Sequence, residues 1–257
     1  MKILLLNPNT STGMTDRMVA TAAPSLAPDT ELVGITATRG FPYIAGRAEA
    51  LIAGAIALEM VAEHKRGADA IIIAAFGDPG LIAIRELFDV PVTGMAEAAM
   101  LTACMAGGRF AILTFSPTLL PWYEDAVIST GLSGRCAGVR VPTSGFKSVD
   151  SVREELEEDF VALADRTIRE DGADAIILAG APLSGLAFRI ADRVSVPLID
   201  PLSAAIGQAQ TLARMRPRAA TAGRFARPGP KRTAGLMPAL ADWIEHRAVD
   251  AAAKVEP

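Results

Sequence analysis

Residues 67–75, Gly67-Ala68-Asp69-Ala70-Ile71-Ile72-Ile73-Ala74-Ala75, are repeated 105 residues later as Gly172-Ala173-Asp174-Ala175-Ile176-Ile177-Leu178-Ala179-Gly180. Each copy is an apolar run that leads into a loop rich in glycine and proline, a pattern typical of strands buried in a parallel sheet. The similarity continues through Val90-Pro91-Val92 and Val196-Pro197-Leu198 into alanine-rich segments. A whole strand–loop–helix–strand–helix unit is therefore duplicated, which predicts two α/β lobes facing each other across a cleft.

The duplication also predicts where the lobes divide. We expect residues 1–98, together with about 208–257, to form the first lobe and residues 99–207 to form the second. Strands that alternate with helices at this spacing predict parallel sheets covered on both faces. Ligands bind beyond the carboxyl ends of the strands in such sheets. Five loops are therefore predicted to meet at the cleft: 7–12, 40–46, 75–80, 114–118 and 180–185.

Composition and charge narrow the class of protein. The chain has 257 residues, of which 51% are hydrophobic and 5% aromatic, and its formal net charge is −4. It therefore has no global basic field to hold nucleic acid. No apolar run approaches the roughly 18 residues that cross a bilayer, and the opening run stops at Asn7-Pro8, too short for a signal peptide. We expect a cytoplasmic protein without membrane contact.

The cysteines and histidines indicate neither a metal site nor a hydrolase triad. Cys104 and Cys136 have neither metal-ligand spacing nor a pairing pattern, which favours a reducing compartment. Cys104 lies in an apolar helix, where packing is its expected role. His64 and His246 both lie among charged residues near helix ends, so neither is placed to activate a serine. No phosphate-binding glycine fingerprint is present, so we expect no nucleotide cofactor.

Three motifs resemble one known family: Leu6-Asn7-Pro8-Asn9-Thr10-Ser11, the loop Ala74-Ala75-Phe76-Gly77-Asp78-Pro79-Gly80-Leu81, and Gly223-Arg224-Phe225-Ala226-Arg227-Pro228. They are similar to the hydantoin and allantoin racemase branch of the aspartate/glutamate racemase superfamily. The resemblance implies two flavodoxin-like lobes related by a pseudo-dyad, an active site in the inter-lobe cleft, no cofactor, and a homo-oligomer. It also implies two cysteines, one per lobe, that flank the acidic carbon of a small substrate.

This chain departs from that pattern at both cysteines. The resemblance places the first catalytic thiol at Ala75 and the second at Gly180, and neither residue can accept a proton. Loss of a positioned acid or base typically costs about 10²–10⁴ in rate per group. Racemisation by two thiols is therefore excluded for this polypeptide.

Two carboxylates are candidates to replace the thiols. Asp78 lies inside the first repeated loop, and Glu97 opens a helix beside the predicted cleft. The main hypothesis is hydrolysis or elimination of a small cyclic amide, imide, lactone or carboxylate. Water activated by a carboxylate would attack, while the backbone amides of Gly77 and Ala181 stabilise an oxyanion. Asp78 has an alternative role as a turn former, and Glu97 as an acid that complements a helix dipole.

The same five loops supply candidate substrate contacts. Their hydroxyls, amides and small residues offer hydrogen bonds and close backbone approach, although helix capping accounts for part of the 7–12 loop. The candidates are Asn9, Thr10, Tyr43, Ile44, Phe76, Gly77, Thr114, Ala181, Pro182 and Ser184.

Two other functions stay open from the sequence. One is a racemase of the hydantoin or allantoin type that uses bases other than cysteine, and the other is an inactive binder of a small ligand. The arginine- and proline-rich stretch 214–232 lacks interleaved aromatic residues, so a surface segment packed against acidic helices is favoured over a nucleic-acid patch. A role of this stretch in subunit contacts or in covering the cleft also stays open.

Overall fold

The computed structural model describes residues 1–247, which contain two parallel four-stranded sheets. In the first sheet the strands are β1 (Lys2–Asn7), β2 (Glu31–Thr36), β3 (Ala70–Ile73) and β4 (Val92–Gly94), in the order β2-β1-β3-β4. The second contains β5 (Phe110–Leu113), β6 (Cys136–Arg140), β7 (Ala175–Leu178) and β8 (Leu198–Ile199), in the order β6-β5-β7-β8. The shared strand order confirms the duplicated α/β architecture.

Ten α-helices connect and cover these sheets within the described residues. They are α1 (Thr12–Ala22), α2 (Arg47–His64), α3 (Leu81–Leu87), α4 (Met95–Ala106), α5 (Leu120–Ser129), α6 (Val152–Glu155), α7 (Glu157–Asp171), α8 (Leu186–Ile190), α9 (Pro201–Met215) and α10 (Pro238–Ile244). No helix of residues 1–247 is long and apolar enough to cross a membrane.

Helices α4 and α9 exchange sides between the lobes. Helix α4 follows the last strand of the first sheet but packs against β7 of the second, whereas α9 follows β8 and packs against β3 and β4 of the first. The two helices also pack along each other. One continuous core therefore joins apolar residues of both sheets, such as Ile72 and Ile177. Burial of this shared apolar surface holds the lobes together.

The buried carboxylate of Asp200 fixes the start of α9. One carboxylate oxygen accepts hydrogen bonds from the Ser203 backbone N–H at 2.9 Å and from the Ser203 hydroxyl at 3.1 Å. The other accepts from the backbone N–H of Gly185 at 2.9 Å, in the loop after β7. A negative charge at a helix N-terminus is stabilising. Asp200 thus ties the crossing helix to a loop at the carboxyl end of the second sheet.

The C-terminal part of the described chain returns to the first lobe, where α10 packs against α2. The ring of Trp243 lies between the Lys65 ammonium, 4.0 Å from its centroid, and the Arg227 guanidinium at 5.1 Å. Helix α10 begins only at Pro238. Gly235, three residues earlier, has a φ of +71°, which a right-handed helix does not allow.

The arginine-rich stretch 214–232 has few partners among acidic helices in the described chain. Arg214 lies 3.5 Å from Asp29, in the turn before β2, and Arg227 contacts Trp243. The acidic residues of α6 and α7 pair instead with arginines of their own lobe, such as Arg189 and Arg193. These contacts therefore do not support the expectation that stretch 214–232 packs against acidic helices.

We expect Asp200→Ala to lower the free energy of unfolding by roughly 2 kcal/mol or more, because it removes the cap and leaves the Gly185 and Ser203 N–H groups without their acceptor. Urea denaturation measures this change. Asp192→Ala, an exposed position in the same lobe, is the matched control and should change stability by less than about 0.5 kcal/mol. Equal effects of the two variants would contradict the capping role.

Candidate functional site

The carboxyl ends of the two sheets face each other across a small cavity. Its lining comes from both lobes: Asn9, Met14, Tyr43, Ile44, Ala74, Ala75 and Phe76 from the first, and Trp122, Tyr123, Gly180, Ala181 and Pro182 from the second. The cavity measures about 20 Å³, which is room for about one water molecule. This is where a ligand site is expected in parallel α/β sheets.

Ala75 and Gly180 approach this cavity from opposite lobes, each two residues beyond the end of its strand. The two positions differ in backbone conformation. Gly180 has a φ of +121°, which residues with a side chain rarely adopt. A Cβ atom built on Gly180 would lie 2.8 Å from the Phe115 ring. A side chain at residue 180 is therefore opposed by both backbone and packing.

The ionisable groups that line the cavity are the phenols of Tyr43 and Tyr123. Burial raises the pKa of Tyr43, and the nearby Tyr123 and Glu49 raise it further. Burial also raises the pKa of Tyr123, although the Thr114 hydroxyl acts in the opposite direction. Both phenols are therefore protonated near neutral pH. The cavity presents hydrogen-bond donors and acceptors, but no group that accepts a proton from carbon.

Asn9 is held rigidly at the cavity wall. Its side-chain oxygen accepts hydrogen bonds from the Asn7 side chain and from the backbone N–H of Ser11, both at 2.9 Å. Its amide nitrogen lies 3.3 Å from the sulfur of Met14. Since a thioether is a weak acceptor, the Asn9 N–H groups remain available to a stronger acceptor. Asn9 is preorganised to donate a hydrogen bond into the cavity.

Asp78 does not line the cavity. Its two oxygens accept hydrogen bonds from the backbone N–H groups of Ala96 at 2.8 Å and Glu97 at 2.7 Å, at the start of α4. Asp78 has a φ of +51°, and its carboxylate fills the space where a Cβ on Gly94 would lie. The structure therefore gives Asp78 a capping role, and the water activation expected from the sequence has no support in its placement.

Glu97 is also absent from the cavity lining. Both of its oxygens accept hydrogen bonds from the guanidinium of Arg85, at 3.0 and 2.5 Å. The same guanidinium donates to the carbonyl of Val92 at 2.9 Å. Glu97 thus forms a bidentate ion pair that joins α3 to α4. Neither carboxylate proposed for catalysis reaches the place where a ligand would sit.

The other predicted contact residues divide into two groups. Asn9, Tyr43, Ile44, Phe76, Ala181 and Pro182 line the cavity, whereas Thr10, Gly77, Thr114 and Ser184 do not. Gly77 packs under the Trp122 indole, and Thr10 donates its backbone N–H to the Phe41 carbonyl. The hydroxyl of Ser184 is buried without a hydrogen-bond partner in the described chain, and Thr114 is fully buried. Of these two, Thr114 lies beside Tyr123.

The sequence missed four residues of the lining: Met14, Ala74, Trp122 and Tyr123. Met14 is in the first turn of α1, and the two aromatic residues are in the first turn of α5. Each of these helices follows a central strand, so its first turn lies at the carboxyl end of the sheet. This position in the chain was the available signal, since helix N-termini after central strands border the ligand site in such folds.

Both cysteines lie away from the cavity lining. Cys104 is half-buried near the end of α4 and packs against the shared core. Cys136 opens β6, at the amino end of the sheet, and pairs with Phe110. Burial raises the pKa of its thiol, which makes it a poor nucleophile. Among residues 1–247, no group of three or more His, Cys, Asp or Glu side chains is placed to bind a metal ion.

The loop between β2 and α2 forms part of the cavity wall. It carries Tyr43 and Ile44, and α2 begins directly after it with Arg47. The Arg47 guanidinium donates two hydrogen bonds to Asp125 of α5, at 2.5 and 2.8 Å, and a third to the Pro121 carbonyl. This exposed ion pair connects the first lobe to the second beside the cavity.

Two larger grooves lie far from the strand ends that carry the cavity. One measures about 890 Å³ and the other about 550 Å³, and both include Asp89, Val90 and Trp243 in their walls. They lie beside the C-terminal segment and contain neither Ala75 nor Gly180. By size alone these grooves would be the candidate ligand sites. The smaller cavity is the better candidate because it lies at the carboxyl ends of the strands of both duplicated units.

Burial raises the pKa of Asp78 to about 7, against the opposing effect of the Glu97 and Ala96 N–H groups; the unfolded value is about 3.9. Because the folded pKa is the higher one, this group stabilises the fold fully below about pH 4, and its contribution disappears as pH rises through 7. The unfolding free energy of the wild type, relative to Asp78→Asn, should therefore fall between pH 5 and 8. Urea denaturation across this range measures the difference, and parallel profiles would contradict it.

Comparison with known proteins identifies the family to which this chain belongs. A family model for Asp/Glu/hydantoin racemase matches residues 3–209. The hydantoin racemase of Paenarthrobacter aurescens is 32% identical over 233 residues, which is 90% of this chain and 99% of that protein.

Two solved structures are also similar over almost their whole length. Allantoin racemase from Pseudomonas fluorescens has a TM-score of 0.85 at 32% identity, covering 91% of this chain and 100% of its own. Allantoin racemase from Klebsiella pneumoniae has a TM-score of 0.86 at 33% identity, covering 93% of this chain and 98% of its own. These relatives are racemases and give no support to hydrolysis or elimination. The chain belongs to the Asp/Glu/hydantoin racemase family.

Proposed function

We propose that this protein binds a small uncharged ring with amide or imide groups in the inter-lobe cavity, and that it does so without transferring a carbon-bound proton. The observation that carries the proposal is the cavity lining. It provides hydrogen-bonding groups from Asn9, Tyr43 and Tyr123, but no thiol, carboxylate, imidazole or amine. The proposed role is therefore ligand recognition on a racemase scaffold.

The ligand class follows from the polarity of the cavity. Aromatic and aliphatic side chains such as Phe76, Trp122 and Ile44 form most of its walls, and no charged side chain compensates a buried carboxylate. Burying an unpaired charge is costly, whereas a neutral ring pairs its N–H and C=O groups with Asn9 and the phenols. The relatives named for hydantoin and allantoin support the same class.

The size of the cavity adds a requirement for entry. A five-membered ring is larger than the space of about 20 Å³ between the lobes. The cavity must therefore widen on binding, and we expect the loop after β2, which carries Tyr43 and Ile44, to be the part that moves. The Arg47–Asp125 ion pair is exposed, and exposed pairs contribute little stability. Movement of the 40–46 loop should therefore cost less free energy than movement of the other cavity walls.

An isomerase that uses Tyr43 and Tyr123 as its two bases is the second candidate. The observation in its favour is that each lobe contributes one phenol to the cavity that Ala75 and Gly180 also line. The phenol that accepts the carbon-bound proton must be a phenolate while the other donates its proton to the opposite face, and burial raises the pKa of both groups. The proton-transfer rate of such an enzyme should rise with pH to above pH 10, with no plateau near neutrality.

One experiment separates these two functions. Hydantoin, enantiopure 5-methylhydantoin and allantoin are incubated with the protein in D₂O at several pH values, and loss of the C5 proton is followed by NMR. Calorimetry on the same samples measures binding. We expect binding with exchange no faster than in buffer. Exchange above the buffer rate that increases with pH would favour the isomerase, and absence of binding to all three rings would contradict both.

Ala75→Cys is the positive control for that measurement. It adds one sulfur at the edge of the cavity on an ordinary backbone, so we expect it to fold. A single thiol reaches only one face of the ring, so we expect slow deuterium uptake from one enantiomer. Uptake from neither enantiomer by a variant that still binds would show that the ring does not lie against residue 75.

Tyr43→Phe should change stability and binding in opposite directions. The Tyr43 hydroxyl is buried without a hydrogen-bond partner in the described chain, so removing it should stabilise the free protein by about 1 kcal/mol. If the hydroxyl pairs with the bound ring, the same change should weaken binding by roughly 5–10-fold. Thermal unfolding and calorimetry provide the two values. Unchanged affinity would remove Tyr43 from the binding site.

A further inference from the structure

We infer that Phe115 determines which ring substituents the cavity accepts, because it occupies the space in the second lobe that a side chain at residue 180 would need. This inference rests on the proposed function and names a specificity-determining residue for it. Phe115 follows β5 by two residues and is 2% exposed.

The geometry places the Phe115 ring directly behind two residues that line the cavity. Its edge lies 2.8 Å from the position of a Cβ on Gly180, and its centroid is 5.8 Å from that of Tyr43. On the other side it packs edge-on against Phe146, with centroids 5.6 Å apart. Phe115 is therefore wedged between the closing loop and the wall of the second lobe.

Phe115 therefore lies behind the cavity wall on the side of the second lobe, next to Gly180, which lines the cavity. Gly180 has no side chain that would separate the cavity from the Phe115 ring. Phe115 carries no polar atom, so shortening it opens apolar volume next to the ring site and leaves the hydrogen-bonding groups in place. Apolar volume of this kind accepts apolar substituents and stays dry without them.

The size of the ring substituent provides the binding test. Affinities of wild type, Phe115→Leu and Phe115→Ala are measured by calorimetry for hydantoin, 5-methylhydantoin, 5-isopropylhydantoin and 5-benzylhydantoin. We expect the wild type to lose affinity as the substituent grows. Each Phe115 variant should shift the ratio of 5-benzylhydantoin to hydantoin affinity at least 10-fold toward the larger ligand. An unchanged ratio would overturn the inference.

Phe146→Leu is the matched control. Phe146 packs edge-on against Phe115 but is not among the residues that a Cβ on Gly180 would meet. It removes similar apolar bulk, so a general loosening of the lobe would shift its ligand ratio as well. We expect its ratio to match the wild type within 2-fold. A shift equal to that of Phe115→Leu would also overturn the assignment to Phe115.

A second measurement tests the packing without any ligand. Gly180→Ala is made in the wild type and in the Phe115→Leu background, and the melting temperatures of all four proteins are compared. The strain of a side chain at φ +121° is common to both backgrounds and cancels. The contact with Phe115 does not cancel, so the loss of melting temperature should be at least twice as large in the wild-type background. Equal losses would show that Phe115 does not occupy that space.

Together the two measurements separate failure of the inference from failure of the proposed function. If no protein in the set binds any of the four rings, the proposed function fails, and the melting temperatures still decide whether Phe115 fills the space beside Gly180. If the wild type binds hydantoin and the ratio is unchanged in both Phe115 variants, the proposed function stands and the specificity role fails.

Discussion

A buried carboxylate at the start of each crossing helix is the constraint on which the two-lobed structure depends. Asp78 binds the first turn of α4, and Asp200 binds the first turn of α9. Each helix leaves one sheet to pack on the other, so its first turn sets the relative position of the lobes. Hydrogen bonds from helix N-terminal N–H groups to a side-chain oxygen are directional, which suits them to fixing that geometry.

The two lobes provide this carboxylate from opposite partners. In the first lobe the acid comes from the loop after β3, and the residue before α4 is Gly94, where a Cβ would overlap Asp78. In the second lobe the acid is Asp200 itself, directly before α9, and the loop contributes the backbone N–H of Gly185. The carboxylate therefore lies in the loop in the first lobe and directly before the crossing helix in the second. In both lobes the carboxylate is engaged by backbone N–H groups.

The sheets could be predicted from the sequence because a strand that is buried on both faces is a continuous run of apolar residues. The duplication places such a run in each half of the chain. It also predicted that Asn9, Tyr43 and Ala181 lie near the ligand site, since the ends of parallel strands converge. It did not predict the direction of the Asp78 side chain, which depends on a backbone φ of +51°. Trp122 and Tyr123 were missed because their side chains reach the cavity only after the chain turns from β5 into α5.

The two positions to which the sequence resemblance assigns thiols differ between the lobes. Ala75 has a short side chain on an ordinary backbone. At Gly180 the backbone has a φ of +121°, and the Phe115 ring occupies the space that a side chain would need. The conformation of Gly180 is therefore coupled to the packing of Phe115, Tyr43 and Phe146. Close-packed interiors leave little unfilled volume. Here the residue that fills the space beside Gly180 is aromatic, and the cavity lining carries no charged side chain. Both features suit the neutral ligand that we propose better than a carboxylate.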